Sequence, residues 1–231
     1  MTLSVHQPQY WPYAGYFHKI LKSDCFVFLD TVQYKHREFQ NRNRIRTDRG
    51  ELWLTVPVKV KGRCEQSIAE VEIDAERDWQ GEHFKSICTW FANAPHFKRY
   101  LDFLEDLYCG RSWRSLCDLN VHICRFVLDE LKIERPVYME SELKTTLMST
   151  GRIVELCKKC EADIYLSGSG GKAYMEEGLF EREGIKLEYQ RFEHPRYRQQ
   201  FMKNEDDFVP YMSVLDLLLN EGPQRAREVM A

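Results

Sequence analysis

The sequence predicts an α/β protein with a mostly parallel, Rossmann-like sheet, and three observations lead to this prediction. Short apolar segments of strand length alternate along the chain with amphipathic segments of helix length. Polar residues cluster directly after several strand segments, at the end of a parallel sheet where ligands bind. A long block of helical periodicity separates two groups of strands. We therefore expect one α/β domain over residues 1–231, with a helical insertion at residues 78–135.

The chain opens with the order strand, polar loop, helix, strand, polar loop, which is typical of a βαβ unit. The predicted elements are an apolar strand at residues 3–5, a helix at about 16–22 and a buried strand at 25–30. Polar and small residues that accompany these elements are His6, Gln7, Gln9, Tyr10, Gly15 and His18 in a first group, and Asp30, Gln33, Tyr34, Gln40, Asn41, Arg42, Asn43 and Arg44 in a second. We expect both groups to lie on the same edge of the sheet.

This polar cluster admits two interpretations. One is a surface loop whose side chains are satisfied within the protein. Loops between α/β elements usually need only about 2–6 residues, however, and so many hydrogen-bonding groups are costly to remove from water unless a polar partner meets them. We therefore favour an anionic, polar ligand such as a nucleotide, a nucleotide sugar or a phosphate.

The middle of the chain first continues the strand pattern and then becomes helical. Alternating apolar residues predict a third strand at residues 52–60 and another at 67–74, with Pro57 at an edge or at the end of pairing. From residue 78 to about 131, apolar residues recur at spacings of three and four, which predicts amphipathic helices. We interpret the aromatic residues in these stripes as core.

A second βαβ unit is predicted from a strand at residues 137–143, a helix at 152–160 and a strand at 162–166. It ends in the loop Ser167, Gly168, Ser169, Gly170, Gly171 and Lys172, followed by a helix from about residue 173. Small residues in this place allow backbone amides to approach an anion. The alternative is a tight glycine turn without a ligand. The spacing is neither that of a P-loop nor that of the G-x-G-x-x-G dinucleotide fingerprint.

The last part of the chain carries a short strand, a third polar group and a helical end. The strand is predicted at residues 185–189, and the polar group after it includes His194 and Arg196. Ser213 is a candidate N-cap for an apolar helix that stops at residues 220–222, and a final helix follows Pro223.

Composition excludes several classes of protein. Apolar residues make up 43% of the chain and charged residues 30%, as in ordinary globular proteins. A net charge of −3 argues against a general nucleic-acid binder. No apolar run of about 18 residues and no signal-peptide pattern are present, so we expect no membrane span and a cytoplasmic location.

The eight cysteines are scattered through apolar segments, as is typical of reduced thiols packed as small hydrophobic side chains. Cys157 and Cys160 form the only C-x-x-C pair. A zinc site would need a second pair with similar spacing, so we assign no residues to a protein-bound metal site.

Five blocks in order carry a resemblance to a known family: HQPQYWPYAGYFHKI, SDCFVFLDTVQYKHREFQNRNRI, LWLTVPV, YLSGSGG and FVPYMSVLDLLLNEG. They span residues 5 to about 222, and on them the chain resembles the WbqC-like family. These are bacterial proteins encoded in O-antigen and other surface-polysaccharide gene clusters. The resemblance implies an enzyme of surface-polysaccharide biosynthesis, a glycine transferase acting in O-antigen synthesis, with other polysaccharide-assembly enzymes as partners.

The predicted architecture is similar to that of pantothenate synthetase and the nucleotidylyltransferases at the level of the fold. Those enzymes carry two histidines as H-x-G-H, whereas His6 and His18 lie twelve residues apart here. The analogy implies ATP and Mg²⁺ as cofactors, with activation of a carboxylate and transfer of the acyl group to an amino sugar. His6, His18 and Lys172, together with Arg44, would stabilise phosphate charge, and Asp30 would orient a metal or an attacking amine.

Two other functions remain open at this stage. A non-catalytic nucleotide-sugar-binding or scaffold protein would use the aromatic and amide side chains to hold a small molecule, and turnover would distinguish it from an enzyme. A purely structural interaction module is disfavoured, because many polar residues that are expected to be buried follow the predicted strands.

Overall fold

The computed structural model describes all 231 residues. The first half of the chain contains β1 (Thr2–His6), α1 (Ala14–Leu21), β2 (Cys25–Phe28), β3 (Arg42–Thr47), β4 (Gly50–Thr55), α2 (Trp79–Phe91), α3 (Phe97–Glu105) and α4 (Leu116–Glu130). The second half contains β5 (Val137–Met139), α5 (Glu140–Leu143), α6 (Ser149–Lys159), β6 (Ile164–Ser167), α7 (Glu177–Arg182), β7 (Lys186–Tyr189) and α8 (Val214–Met230). No helix combines the length and apolar character that crossing a membrane requires.

Five of the strands form one parallel sheet in the order β5-β2-β1-β6-β7. The prediction of an α/β fold with a mostly parallel sheet is therefore confirmed. The chain builds the sheet outward from β1 in one direction through β2 and β5, and then in the other through β6 and β7. The order thus reverses between β1 and β6, and in open α/β sheets the crevice beyond the carboxyl ends at such a point is where ligands bind.

Strand β2 shows why this sheet is apolar on both faces. Successive side chains of a strand point to opposite faces. Phe26 and Phe28 pack into a cluster of 41 buried residues that also draws on α1, α2, α3, α4 and α8. Cys25 and Val27 pack into a second cluster of 13 residues with parts of α6 and α7. The continuous apolar run CFVF therefore fills two cores at once.

The segment after β2 differs from the prediction. Residues 42–47, expected as a polar loop, form β3, which pairs with β4 as a separate antiparallel hairpin. The strand predicted at residues 52–60 is therefore not in the parallel sheet, and it ends at Thr55. The physical reason is the period of β3, in which Asn43 and Ile45 are buried while Arg42 and Arg44 alternate with them on a more exposed face.

The strand predicted at residues 67–74 is also absent. Ser67 and Glu70 form a capping box around a short 3₁₀ turn, which gives the backbone local partners instead of a ladder. Only isolated bridges remain, including Val58 with Ile73 and Glu72 with Ser115.

The helical predictions agree better with the structure. Three amphipathic helices, α2, α3 and α4, occupy the block expected to be helical. Helix α8 has two helical segments that meet at Gly222, whose φ of 73° lies in the left-handed region, with Pro223 directly after it. A side chain at position 222 would also meet the ring of His96. The predicted stop at residues 220–222 is thus confirmed. That the helical block is an insertion in one domain stays a prediction.

Candidate functional site

A cavity of about 440 Å³ opens beyond the carboxyl ends of β1 and β6, at the point where the strand order reverses. We call it the switch-point cavity. Its polar and glycine lining comes from His6, Gln7, Lys19, Lys35, Ser149, Arg152, Ser167, Gly168, Gly170 and Gly171. No aspartate or glutamate lines it. The two strand ends, the side of α1 and the beginning of α6 therefore enclose a basic crevice.

Lys19 is the most deeply buried cation of the switch-point cavity. Helix α1 is buried along almost its whole length, so a lysine in it has no solvent-facing side to occupy, and Lys19 is only 3% exposed. Its ammonium donates to the carbonyl oxygen of Val5 over 2.9 Å and has no carboxylate partner. Burial lowers the pKa of Lys19 to about 7. An ammonium with one neutral acceptor in a desolvated site is suited to an anion.

Arg152 and Lys35 also line the same cavity, and only the charge of Lys35 is unpaired. Arg152 forms an ion pair with the fully buried Glu140, 3.1 Å between Nε and Oε1, and Thr145 also donates to that carboxylate oxygen over 2.6 Å. Lys35 is exposed and makes no ion pair. Arg152 lies in the first turns of α6, a helix whose N-terminus has no side-chain cap. The positive end of the helix dipole therefore reinforces the cationic character of this wall.

His6 ends β1 and lies half-buried at the mouth of the cavity. Its ring packs against Tyr16 at 4.8 Å between centroids, and Nδ1 lies 3.2 Å from the carbonyl oxygen of Gln7. Only a protonated ring nitrogen can donate to a carbonyl, so Nδ1 carries the hydrogen and Nε2 is an acceptor. Burial and the nearby Lys19 charge lower the pKa of His6 to about 3. His6 is therefore neutral near pH 7 and suited to accept a hydrogen bond from a ligand amine or hydroxyl.

The glycine loop at residues 167–172 is shaped by close packing. Ser167 is buried and its hydroxyl donates to the carbonyl oxygen of Gly168 over 3.1 Å. A Cβ at Gly171 would lie 2.0 Å from that hydroxyl oxygen, so a larger residue there would force the Ser167 side chain into another rotamer. Residues 169–173 form a 3₁₀ turn, and the helix predicted from residue 173 begins instead at Glu177.

Ser169 and Lys172 of the glycine loop line a second cavity of about 730 Å³, which we call the lateral cavity. Its polar lining is His18, Lys22, Ser169, Lys172, Glu188, Tyr189, Gln190 and Arg191. It shares no lining residue with the switch-point cavity. The structure thus places His6, Gln7, Ser167, Gly168, Gly170 and Gly171 at one cavity, and His18, Ser169 and Lys172 at the other.

Several other candidate residues have partners inside the protein. Asp30 is 2% exposed and accepts from the backbone N–H of Ser141 at the start of α5, over 3.0 Å. The buried Tyr10 hydroxyl bonds the ring of His83 over 2.9 Å and also the hydroxyl of Tyr108. Neither side chain lines either cavity.

The amides of the second polar group each make at least one hydrogen bond to a backbone group. Gln40 accepts from the backbone N–H of Lys35 over 2.9 Å, Asn41 donates to Val56 O over 2.9 Å, Asn43 donates to Trp11 O over 2.7 Å, and Gln33 donates to Cys64 O over 2.9 Å. Asn41 Oδ1, however, is buried without a hydrogen-bond partner, so the expectation that this segment meets a polar ligand stays a prediction.

The remaining predicted residues lie outside the two cavities. Arg42 and Arg44 stack on Trp53, with the guanidinium carbons 4.4 and 5.4 Å from its ring centroid. His194 bonds the carbonyl of Pro195 and the backbone N–H of Tyr211. Tyr34 is buried in the larger core, and the backbone carbonyl of Gly15 accepts from Gln190. Gln9 meets Cys124 through its carbonyl oxygen, and Arg196 lines a third, smaller cavity.

Sequence reasoning missed Lys19, Lys35 and Arg152. In the sequence each resembles an ordinary charged residue of a helix or loop, and such residues usually face water. For Lys19 one signal was available, because the helix AGYFHKIL is apolar around most of its circumference. No comparable pattern marks Lys35 or Arg152.

Comparisons with known proteins give matches over nearly the whole length of the chain. A model described as the WbqC-like protein family matches residues 7–228. An uncharacterized protein of Mycobacterium tuberculosis is 32% identical over 222 residues, which cover 96% of this chain and 94% of the relative. No solved structure matches the chain.

Proposed function

The chain belongs to the WbqC-like protein family, and from the geometry of the switch-point cavity we propose that it is an enzyme that binds a nucleotide there. The observation that carries this proposal is Lys19. It is a buried ammonium with a single carbonyl partner, beside a glycine loop at the reversal of the strand order. A protein that bound no anion there would gain stability by replacing this lysine with an apolar residue.

The phosphate groups of the nucleotide would lie between Lys19, Arg152 and the glycine loop. A side chain at Gly168 would place its Cβ 3.9 Å from the ammonium of Lys19, so glycine leaves room for a ligand to approach. The positive end of α6 and the guanidinium of Arg152 would meet the same charge. The strand order supports a Rossmann-like description of the sheet, with the ligand at its usual place.

We further propose that the reaction is acyl transfer in surface-polysaccharide biosynthesis, as the family resemblance suggests. A carboxylate such as glycine would attack the α-phosphorus of ATP and release pyrophosphate. The amine of an amino sugar would then attack the acyl carbon, lose a proton and release AMP. His6 Nε2 accepts a hydrogen bond and is suited to hold the amine or a ribose hydroxyl, rather than to act as an acid near pH 7.

The lining of the switch-point cavity does not fit a divalent cation held by the protein. It contains no carboxylate, and no group of three or more histidine, cysteine, aspartate or glutamate side chains has the geometry to hold a metal. Mg²⁺ binds oxygen ligands and usually enters with substrate phosphates. We therefore assign the neutralisation of phosphate charge to Lys19, Arg152 and Lys35, and we route no step through a metal.

Calorimetry with ATP tests the nucleotide site. We expect Lys19→Met to weaken ATP binding about 10–100-fold, since a charge-assisted hydrogen bond contributes about 1.5–3 kcal/mol. Lys98→Met, at an exposed position of α3, is the matched control and should bind like the wild type. Equal affinity in the Lys19 variant would refute the proposed site.

Turnover separates the enzyme from its alternative, a non-catalytic nucleotide-sugar-binding or scaffold protein. The purified protein would be incubated with ATP, Mg²⁺, glycine and a panel of nucleotide amino sugars, and product masses would be read. An enzyme gives a product heavier than the sugar by one glycyl group, together with AMP, and His6→Ala lowers its rate. Binding of ATP without any product would favour the binding protein.

A further inference from the structure

The lateral cavity carries three cations that the protein leaves without carboxylate partners. Lys22, Lys172 and Arg191 all line it, and none of them forms an ion pair. Its one carboxylate, Glu188, is paired with Lys186 over 2.7 Å. All three side chains are exposed, so water and salt screen much of the repulsion between them. An anion bound among them gains charge-assisted contacts without displacing a carboxylate partner.

His18 supplies a directed hydrogen-bond donor in the same cavity. The side-chain N–H₂ group of Gln190 donates to the carbonyl oxygen of Gly15 over 2.8 Å, which fixes the orientation of the amide. The same nitrogen lies 2.7 Å from His18 Nδ1, so Nδ1 must be the acceptor and Nε2 carries the hydrogen. His18 is 8% exposed, and its Nε2–H has no partner within the protein.

The cavity also offers hydroxyl and amide groups beside these charges. Ser169 contributes a hydroxyl group with no protein partner, and the amide oxygen of Gln190 is left over once its nitrogen is occupied. Such groups suit the hydroxyls of a sugar. The volume of about 730 Å³ is large enough for a ligand of that size.

We propose that the lateral cavity is a second binding site, separate from the nucleotide site, for the phosphomonoester of a sugar. The phosphate meets the three cations and the Nε2–H of His18, and the sugar hydroxyls meet Ser169 and Gln190. The two cavities share no lining residue, so both sites can be filled at once. That they hold the two reactants of one transfer rests on the proposed function, whereas the existence of the second site does not.

Calorimetry with glucose 6-phosphate as the probe tests this site on the full chain. We expect Arg191→Gln and Lys172→Gln each to weaken its binding about tenfold or more, because each removes a charge-assisted contact to phosphate. Arg182→Gln, at an exposed position of α7, is the matched control and should bind like the wild type. ATP binding should be unchanged in all three variants, and Lys19→Met should leave glucose 6-phosphate binding unchanged.

Several results would overturn the second site. These are no binding of glucose 6-phosphate by the wild type, full affinity in both lateral-cavity variants, or competitive displacement of the probe by ATP. Inorganic phosphate that binds as tightly as the sugar phosphate would overturn the assignment to a sugar. Probe binding that depends on Arg191, without any ATP binding, would uphold the second site and refute the proposed nucleotide site.

Discussion

Residues 40–46 and the switch-point cavity both contain many polar side chains, but these side chains differ in the partners that the protein gives them. In residues 40–46 the amide groups of Gln40, Asn41 and Asn43 bond backbone atoms. In the cavity, Lys19 has one carbonyl partner and Lys35 has no ion pair. Residues 40–46 also keep unpartnered groups, because Asn41 Oδ1 and the Nε atoms of Arg42, Arg44 and Arg46 are buried without a hydrogen bond. What distinguishes the cavity is a buried lysine ammonium beside a glycine loop, at the carboxyl ends of parallel strands.

The two regions are nevertheless connected. Asn43 bonds the carbonyl oxygens of Tyr10 and Trp11, and Trp11 holds a φ of 44°, a conformation that costs free energy for a bulky residue. Asn120 bonds the carbonyl oxygens of Pro8 and Gln40 over 3.3 and 2.7 Å. These bonds fix the loop between β1 and α1, and so they fix the helix that directs Lys19 into the cavity.

The contrast between residues 40–46 and the switch-point cavity is tested most directly by the pH dependence of stability. Replacing Lys19 should give the largest change in that dependence. Folding lowers the pKa of Lys19 from 10.5 to about 7. Between these values the unfolded chain holds the proton and the folded chain releases it, so the free energy of unfolding rises with pH. One pKa unit corresponds to about 1.4 kcal/mol, so between pH 7 and 9.5 we expect a rise of about 3 kcal/mol that Lys19→Met lacks.

Urea unfolding between pH 7 and 9.5, compared between the wild type and Lys19→Met, measures the difference. Lys19 also lowers the pKa of His6, but burial is the larger cause and keeps His6 neutral over this range in both proteins. At pH 7 and below the variant should be the more stable protein, since it buries no charge. Lys98→Met should keep the rise of the wild type. Parallel curves for the wild type and the Lys19 variant would show that Lys19 is not buried as a cation.

Asn43→Ala should give the next largest effect and should act on stability alone. The change leaves the carbonyl oxygens of Tyr10 and Trp11 without their donor in a site where Asn43 is 2% exposed. Unsatisfied buried groups cost about 1–3 kcal/mol, so we expect a loss of about 2 kcal/mol in urea unfolding. Asn93→Ala, at an exposed position, is the control and should be neutral. A large loss of ATP affinity without a loss of stability would instead place Asn43 at the ligand.

Strands of the parallel sheet could be recognised in the sequence because strands that are apolar on both faces form continuous apolar runs. The run CFVFLD and the segment before Ser167 could be located as short apolar runs, and β2 and β6 lie there. The hairpin was missed because β3 alternates arginine with buried asparagine, and asparagine is depleted in strands. Asn43 bonds carbonyl oxygens that lie more than thirty residues away in sequence, and no local pattern reveals such partners.

The position of the switch-point cavity was predictable from the sequence, but the charge states of its side chains were not. Residues after β1 and after β6 line the switch-point cavity, as their positions at strand ends suggested. Whether His6 is charged, however, depends on burial and on the distance to Lys19, and these are properties of packing. That His6 and His18 line different cavities likewise depends on how β1 and α1 pack beside the glycine loop, which the sequence alone does not reveal.

The smallest expected effect concerns Arg44, which the sequence suggested as a phosphate ligand. Its guanidinium pairs with Glu51 over 2.6 Å and donates to the carbonyl oxygen of Tyr211 over 3.1 Å. Partly exposed ion pairs contribute about 0–1 kcal/mol. We expect Arg44→Gln to lower the free energy of unfolding by about 0.5 kcal/mol and to leave ATP affinity unchanged, and Glu51→Gln to match it in stability. If Arg44→Gln lowered ATP affinity tenfold while Glu51→Gln did not, the hairpin would contribute to the ligand site, and the contrast between the two regions would fail.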